Sequence, residues 1–231
     1  GGWTGGMRIQ RAVVLLSGGL DSATCLAMAS EEYEVYALTV DYGSRHSREL
    51  DSARALAEYY NVAGHTILKV GLDAIGGSAL TDDAMPLDTG KGLEDIGKEI
   101  PSSYVPARNI TFLSLASGLA EVVDAGNIFI GANAVDYSGY PDCRPEFLDA
   151  FQEALEKGTK AGVEGRPIKI SAPLLMMRKA DIIRKGLELG VPYELTWTCY
   201  SGGERACGKC EACRLRLEGF REAGRDDPIE Y

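Results

Sequence analysis

The sequence predicts an α/β protein: an open, mostly parallel sheet of five strands, helices on both faces, and a small metal-binding region at the C-terminus. Three observations support this fold class. Strand-like and helix-like patterns of apolar residues alternate between residues 11 and 190. A glycine-rich loop directly follows the first predicted strand, and four cysteines fall within fifteen residues near the end of the chain.

The first half of the chain alternates three strands with two helices. The strands are short apolar runs: RAVVLL (11–16), EVYALTV (34–40) and HTILKV (65–70). A helix is expected from about Asp21 to Glu31. A second helix is expected over SRELDSARALAEYY (47–60), because its apolar residues recur at helical spacing.

The second half continues the alternation. A strongly apolar helix is predicted over ARNITFLSLASGLAEVV (107–123), followed by a fourth strand over NIFIGAN (127–133). A helix that starts with proline covers 145–158, and a fifth strand covers 168–174. Gly190 ends the helix over 178–190. A last short helix carries Cys213 and Leu217.

The predicted organisation has three parts. Residues 1–6, GGWTGG, are interpreted as a flexible extension or the remnant of an expression tag. Residues 7–192 form the α/β domain, and residues 193–231 form the small metal-binding region. Residues 71–104 are rich in Gly, Asp, Pro and Ser without periodicity, which is typical of a lid, a binding loop or a disordered segment.

Composition and charge limit the classes of molecule that the protein is expected to bind. The net charge of −10 and the scattered basic residues disfavour direct binding of nucleic acid and favour small-molecule substrates. No stretch approaches the ~20 apolar residues of a membrane helix. The N-terminus lacks the pattern of a secretion signal, so a cytoplasmic location and reduced cysteines are expected. A homodimer is left open.

The stretch VVLLSGGLDSAT (13–24) predicts an anion site, because a strand, a glycine loop and a helix start present backbone N–H groups to a ligand. Gly18 and Gly19 allow close approach, Ser17 and Ser22 offer hydroxyl donors, and Asp21 could cap the helix. The loop lacks the glycine spacing of a dinucleotide fold and the lysine of a Walker loop. An ordinary strand-to-helix turn is the alternative.

Cys199, Cys207, Cys210 and Cys213 have the spacing C-x₇-C-x₂-C-x₂-C, which can close a tetrahedron around one Zn²⁺ per chain. A [4Fe–4S] cluster is the alternative, since C-x₂-C-x₂-C also occurs in ferredoxins. The longer gap to the upstream cysteine and the absence of a proline after Cys213 favour zinc. With all four positions filled, the metal would be structural. Cys25, in a run of small apolar residues, is interpreted as core packing.

SGGLDS matches the signature of the PP-loop ATP pyrophosphatases, which cleave ATP between the α and β phosphates. With the four cysteines and the segments DYGSRHSREL (41–50), VPARN (105–109), GANAVDYSGYPDCRPEF (131–147) and TWTCYSGG (196–203), the chain resembles the family of 7-cyano-7-deazaguanine synthases. The resemblance spans about residues 7–220, although Ser44 departs from the family segment. It implies a Rossmann-like, adenine nucleotide alpha-hydrolase-like fold.

The resemblance also implies site residues. Ser17, Asp21 and Ser22 would be catalytic, with Mg²⁺ accompanying ATP. The whole ATP-binding segment would be Leu16, Ser17, Gly18, Gly19, Leu20, Asp21, Ser22, Ala23, Thr24, Cys25 and Leu26. The loop before α-helix 145–158 would bind the heterocycle.

The heterocycle needs hydrogen-bond acceptors and a stacking surface. Asp136 and Asp142 could accept from its ring, and Tyr137 or Tyr140 could stack on it; a solvated turn is the alternative. Arg108 and Asn109 open the long helix, where a phosphate or carboxylate could bind.

Three basic residues have weaker assignments. His46 is interpreted as a supporting residue near the nucleotide. Arg178 and Lys179 could contact phosphate, although a solvated helix face fits equally well.

The reaction implied by the resemblance converts 7-carboxy-7-deazaguanine, ammonia and ATP to 7-cyano-7-deazaguanine, AMP and pyrophosphate, through an adenylated acid and an adenylated amide. This chemistry belongs to queuosine and archaeosine biosynthesis. Free ammonia is the expected nitrogen source, because no persulfide cysteine or glutaminase domain is evident. A tRNA-thiolating PP-loop enzyme and a zinc-stabilised nucleotide sensor are the alternatives.

Overall fold

The computed structural model describes residues 9–87, 98–136 and 139–231. Its centre is a parallel sheet of five strands in the order β3-β2-β1-β4-β5. The strands are β1 Arg11–Leu15, β2 Glu34–Asp41, β3 Gly64–Lys69, β4 Asn127–Phe129 and β5 Lys169–Ser171. The predicted fold class is therefore confirmed.

The described residues form seven α-helices: α1 Leu20–Ser30, α2 Arg48–Tyr59, α3 Arg108–Val123, α4 Pro145–Gly158, α5 Lys160–Val163, α6 Lys179–Glu188 and α7 Glu211–Ala223. The sequence pattern did not predict α5, a single turn in which Thr159 accepts a hydrogen bond from the Gly162 N–H. The other six agree with the predicted helices to within a few residues.

Strands β4 and β5 are shorter than predicted, with three residues each. The predicted β4 extended to Asn133, but the chain leaves the ladder after Phe129. Gly131 then packs against the backbone of Asp21 and Ser22, where a Cβ atom would lie 3.1 Å from the Ser22 nitrogen. The continuation of β4 is thus a wall of the cleft rather than a strand.

Alternating residues of β1 build the two faces of the core. Val13 and Leu15 pack with α3 and α4 on one face, whereas Val14 packs with α1, α2, α6 and Phe220 of α7 on the other. All three valine and leucine side chains are buried because helices cover both faces of a parallel sheet.

The order of the strands locates the ligand site. Chain connections run outward from β1 toward β2 on one side and toward β4 on the other. A crevice therefore opens at the carboxyl ends of β1 and β4, which is where open parallel sheets bind ligands.

The C-terminal region packs on the sheet domain. Tyr193 and Phe220 share a core with α1 and α6, and Gly219 lies against Lys179 and Ile183 of α6. Trp197 and the cysteines form a small cluster of their own. The boundary at residue 192 stays a prediction.

Part of the predicted loop 71–104 is packed rather than open. Ala79 and Leu80 are buried, and the Ala79 N–H donates to the Ser102 carbonyl at 2.8 Å. Residues 88–97 and the extension at 1–6 lie outside the described residues, so the lid and the extension stay predictions.

In the described ranges, no helix combines the length and apolar character that spanning a bilayer requires.

Candidate functional site

Ser17 to Ser22, the predicted phosphate-binding segment that we call the phosphate loop, lies at the edge of a cavity of about 220 Å³ at the carboxyl ends of β1, β2 and β4. The Ser17 N–H donates to the Ser22 hydroxyl at 3.1 Å, and the two hydroxyl oxygens are 3.0 Å apart. Gly18 has φ of +87°, a left-handed conformation that favours glycine. These bonds hold the loop in one shape.

The N-terminus of helix α1 lies at this cavity and has no side-chain cap. Gly19 is its N-cap residue and no side chain caps it, so the prediction that Asp21 caps the helix is wrong. The first N–H groups of a helix lack acceptors within the helix and attract anions. A bound phosphate can therefore take the place of the missing cap.

The predicted ATP-binding segment divides into two groups. Leu16, Ser17, Gly19, Leu20, Asp21 and Ser22 line the cavity. Gly18 instead packs on α2, and Ala23, Thr24, Cys25 and Leu26 are buried in the core of α1. Thr24 bonds the Tyr193 hydroxyl at 2.7 Å, and Cys25 is fully buried, as its interpretation as core packing requires.

Asp21 forms a buried ion pair with Lys179 of α6. The ammonium nitrogen lies 2.7 and 2.8 Å from the two Asp21 oxygens and 3.5 Å from Asp136 Oδ2. Burial raises the pKa of Asp136, and the positive charge of Lys179 opposes that rise. Lys179 is 7% exposed and lines the cavity, so it does not lie on a solvated face. Arg178 is exposed and paired with Glu222.

The start of α3 forms the opposite wall. Arg108, Asn109, Tyr140 and Cys143 line the cavity. The Tyr140 hydroxyl lies 2.5 Å from that of Ser103. This wall brings together the VPARN segment and the loop after β4, the two segments that carry the residues proposed to bind the substrate.

Asp142 lies behind this wall. Its carboxylate accepts from the Asn109 N–H at 3.1 Å, while its Oδ1 is buried without a hydrogen-bond partner. Neither Asp142 nor Asp136 lines the cavity, so each would act on a ligand through the residues it contacts. Tyr137 lies outside the described residues.

The four C-terminal cysteines form a candidate metal centre, the cysteine knuckle (Cys199–Cys213). Their sulfur atoms lie within 4.8 Å of one another, and Cys207 Sγ is 3.9 Å from Cys213 Sγ. With Zn–S bonds of about 2.3 Å, four ligands of a tetrahedral ion stand about 3.8 Å apart. Each cysteine of a four-iron cluster binds a different iron, which spreads the sulfur atoms further. The spacing fits one ion.

Backbone groups support the sulfur atoms as thiolates. The N–H groups of Ser201 and Cys207 each donate to Cys199 Sγ at 3.3 Å, and those of Lys209 and Cys210 donate to Cys207 Sγ at 3.3 Å. Thiolates are the form of cysteine that binds a metal.

The cysteine knuckle contacts the phosphate loop through Trp197. The Trp197 N–H donates to the Gly18 carbonyl at 2.9 Å, and its indole N–H donates to the Cys199 carbonyl at 3.0 Å. The Arg48 guanidinium stacks on the indole, 4.2 Å from its centre. His46 does not line the cavity and packs against Gly202 of the knuckle. Its interpretation as a supporting residue near the nucleotide stays a prediction.

Several residues that line the cavity were not named as site residues from the sequence. Trp197 and Glu49 are two polar or aromatic examples, from the segments TWTCYSGG and DYGSRHSREL. The one available signal was position: Glu49 begins a helix directly after a strand end.

The family model described as queuosine biosynthesis protein QueC matches residues 11–224. A 7-cyano-7-deazaguanine synthase of Acetivibrio thermocellus is 58% identical over 224 residues, covering 96% of this chain and 98% of that protein. One of Thermoplasma acidophilum is 57% identical over 227 residues, covering 97% and 93%. A solved structure of NMN synthetase from Francisella tularensis is 15% identical, with a TM-score of 0.48, and the match covers 94% of this chain and 78% of that one.

Proposed function

The chain belongs to the QueC family of queuosine biosynthesis proteins, and on that basis we propose that it converts 7-carboxy-7-deazaguanine, ammonia and ATP to 7-cyano-7-deazaguanine, AMP and pyrophosphate. It is a ligase that forms carbon–nitrogen bonds. The structural observation that supports this function is one cavity with two sets of lining residues. The phosphate loop and the Arg108–Asn109 wall both line it, so a nucleotide and a heterocyclic acid can meet there.

The phosphate loop binds the departing pyrophosphate. The open start of α1 and the hydroxyls of Ser17 and Ser22 offer donors, and Lys179 supplies a positive charge beside Asp21. Negative charge grows on the bridging oxygen and the pyrophosphate as the α–β bond of ATP breaks. Donors fixed in advance stabilise that charge without rearrangement.

The heterocycle binds against α3. Arg108 lies at the first position of the helix, where its guanidinium can orient the substrate carboxylate toward the α-phosphate. That carboxylate attacks the α-phosphorus and forms an acyl adenylate. Ammonia then displaces AMP and gives the amide. The amide oxygen attacks the α-phosphorus of a second ATP and expels pyrophosphate. Loss of AMP, together with the two protons of the amide nitrogen, then leaves the nitrile.

Two metals belong to this proposal. The cysteine knuckle holds a structural Zn²⁺, which four thiolates at the observed spacing suit. Mg²⁺ would accompany ATP and neutralise phosphate charge, and Asp21, the carboxylate of the phosphate loop, would be the residue to hold it. The tight sulfur spacing also disfavours the tRNA-thiolating alternative, insofar as that function calls for a four-iron cluster.

The proposal extends to partners and organisation. Free small molecules are the substrates, the cytoplasm is the proposed location, and no direct contact with nucleic acid is proposed, in line with the net charge of −10. A homodimer and a boundary between residues 192 and 193 remain proposals that light scattering and limited proteolysis can test.

Mass spectrometry of the products tests the function. Incubation with 7-carboxy-7-deazaguanine, ammonium chloride and Mg·ATP should give the nitrile and two AMP per nitrile formed. ¹⁵N-ammonium should place one heavy nitrogen in the product. Formation of AMP without any change in the heterocycle would overturn the assignment and support a nucleotide sensor.

A further inference from the structure

Glu49 lies where the proposed reaction takes place but has no role in the steps above. It is the second residue of α2, which begins beyond the carboxyl end of β2, and it lines the cavity. The phosphate loop packs directly on this turn: a Cβ atom at Gly18 would lie 2.2 Å from the Glu49 carbonyl oxygen. One side of Glu49 therefore adjoins the loop assigned to the phosphates.

The other side of Glu49 faces the wall assigned to the heterocycle. The positive charge of Arg108 acts on the Glu49 carboxyl, and both residues act on the Tyr42 hydroxyl. The Arg108 guanidinium lies 5.8 Å from the centre of the Tyr42 ring. The reacting carboxyl carbon must lie between the α-phosphate and the heterocycle, which is the position that Glu49 borders.

The Glu49 carboxylate has no fixed partner. Among the described residues, none forms a hydrogen bond or an ion pair with it. Glu49 is half-buried, and its carboxylate oxygens are not closed off in the core, so their free acceptor positions are open to a ligand in the cavity. Burial raises the pKa of the Glu49 carboxyl, and the charge of Arg108 opposes that rise.

Ammonium fits this position. It is a small cation with N–H donors on every side, and the aromatic ring of Tyr42 also lines the cavity. Aromatic faces attract cations, while a carboxylate supplies the acceptor. Ammonium must also lose a proton before its nitrogen can attack, so it needs a base at the place where it binds.

We propose that Glu49 is the residue that binds ammonium and takes its proton, and this inference rests on the proposed nitrile-forming reaction. One N–H bond of ammonium breaks, and the proton passes to the carboxylate. The freed electron pair attacks the carbonyl carbon of the acyl adenylate. The bond to the AMP oxygen breaks, AMP leaves with its electron pair, and the amide nitrogen gives its second surplus proton to the departing phosphate.

Two assays separate this inference from the proposed function. Exchange of labelled pyrophosphate into ATP, with the heterocyclic acid present and ammonium absent, reports adenylation alone. Amide formation from ammonium reports the transfer step, and hydroxamate formation from hydroxylamine reports the same step with a nucleophile that is already neutral. Lack of exchange in the unaltered protein would refute the proposed adenylation before Glu49 is tested.

Glu49→Gln should keep pyrophosphate exchange, which also shows that the site is folded. Its ammonium-dependent kcat/KM should fall by roughly 10²–10⁴, the usual contribution of a positioned base. Its hydroxylamine-dependent rate should change by less than a few-fold. Glu58→Gln, an exposed position on the same helix, is the matched control and should behave like the unaltered protein in all three assays.

Two results would overturn the inference. Either Glu49→Gln uses ammonium as well as the unaltered protein does, or it loses ammonium and hydroxylamine turnover alike. If that variant does not fold, Glu49→Asp decides, since it keeps the charge one methylene further back. A raised KM for ammonium with unchanged hydroxylamine turnover supports the proposal, and an unchanged KM for ammonium contradicts it.

Discussion

Removing the metal from the cysteine knuckle should weaken ATP binding, although no cysteine lines the cavity except Cys143. The connection is short. Cys199 is one of the four proposed metal ligands, its carbonyl accepts from the Trp197 indole, and the Trp197 N–H donates to the Gly18 carbonyl of the phosphate loop. Structural metal sites fold with their metal, so a chelator should free Cys199 and both of these bonds.

The two hydrogen bonds set the magnitude. Their lengths are 3.0 and 2.9 Å, and Trp197 is 5% exposed. Each buried bond contributes about 0.5–1.5 kcal/mol, so losing both costs about 1–3 kcal/mol. If this cost must be recovered on binding, affinity for ATP falls by about 5- to 150-fold. Trp197→Phe removes the indole N–H together with part of the ring on which Arg48 stacks, while the backbone N–H stays, and loss of the one hydrogen bond should give about 2- to 12-fold.

Calorimetric titration with a non-hydrolysable ATP analogue measures this effect. The metal-loaded protein, the chelated protein and Trp197→Phe are compared, with hydrogen exchange of residues 17–22 as a second measure. Helix α4, whose buried Leu148 and Leu155 belong to the core of the sheet, serves as the internal control for global unfolding. Equal affinity of the loaded and metal-free forms, with the knuckle shown to have opened, would refute the coupling.

Three further changes have defined outcomes. Ser17→Ala should lower AMP formation by roughly 10²–10³, the cost of losing one positioned donor, and near-normal AMP release in a quenched assay would contradict the phosphate-loop assignment. Asp142→Asn should weaken heterocycle binding by about 1–3 kcal/mol through Asn109 while leaving ATP-analogue affinity unchanged, as measured by calorimetry. Arg216→Met should cost about 3–5 kcal/mol of stability, because Asp227 stays buried without its partner. Its melting temperature should fall by about 6–20 °C, and a fall below about 2 °C would show that the pair is not stabilising.

The sequence by itself determined the order of the elements and two local motifs. Apolar periodicity placed five strands and six of the helices, because the period of burial is set locally along each element. SGGLDS could be proposed as a phosphate loop because its glycines and hydroxyls lie within six residues. The four cysteines could be predicted as one metal site because three of them, Cys207, Cys210 and Cys213, are only three residues apart. The predicted β4 was too long, because the chain turns after Phe129 and packs Gly131 on α1.

Only the tertiary structure decided which distant side chains share the cavity. Lys179 meets Asp21 across 158 positions of sequence, and its helix pattern alone could not separate a buried ion pair from a solvated face. Asp142 was predicted to contact the ligand, but the fold places it behind Asn109. Such contacts depend on strand order and on how helices cover the sheet, and no local pattern encodes that order. For the same reason, the link from Cys199 through Trp197 to Gly18 became visible only once the knuckle was packed against the phosphate loop.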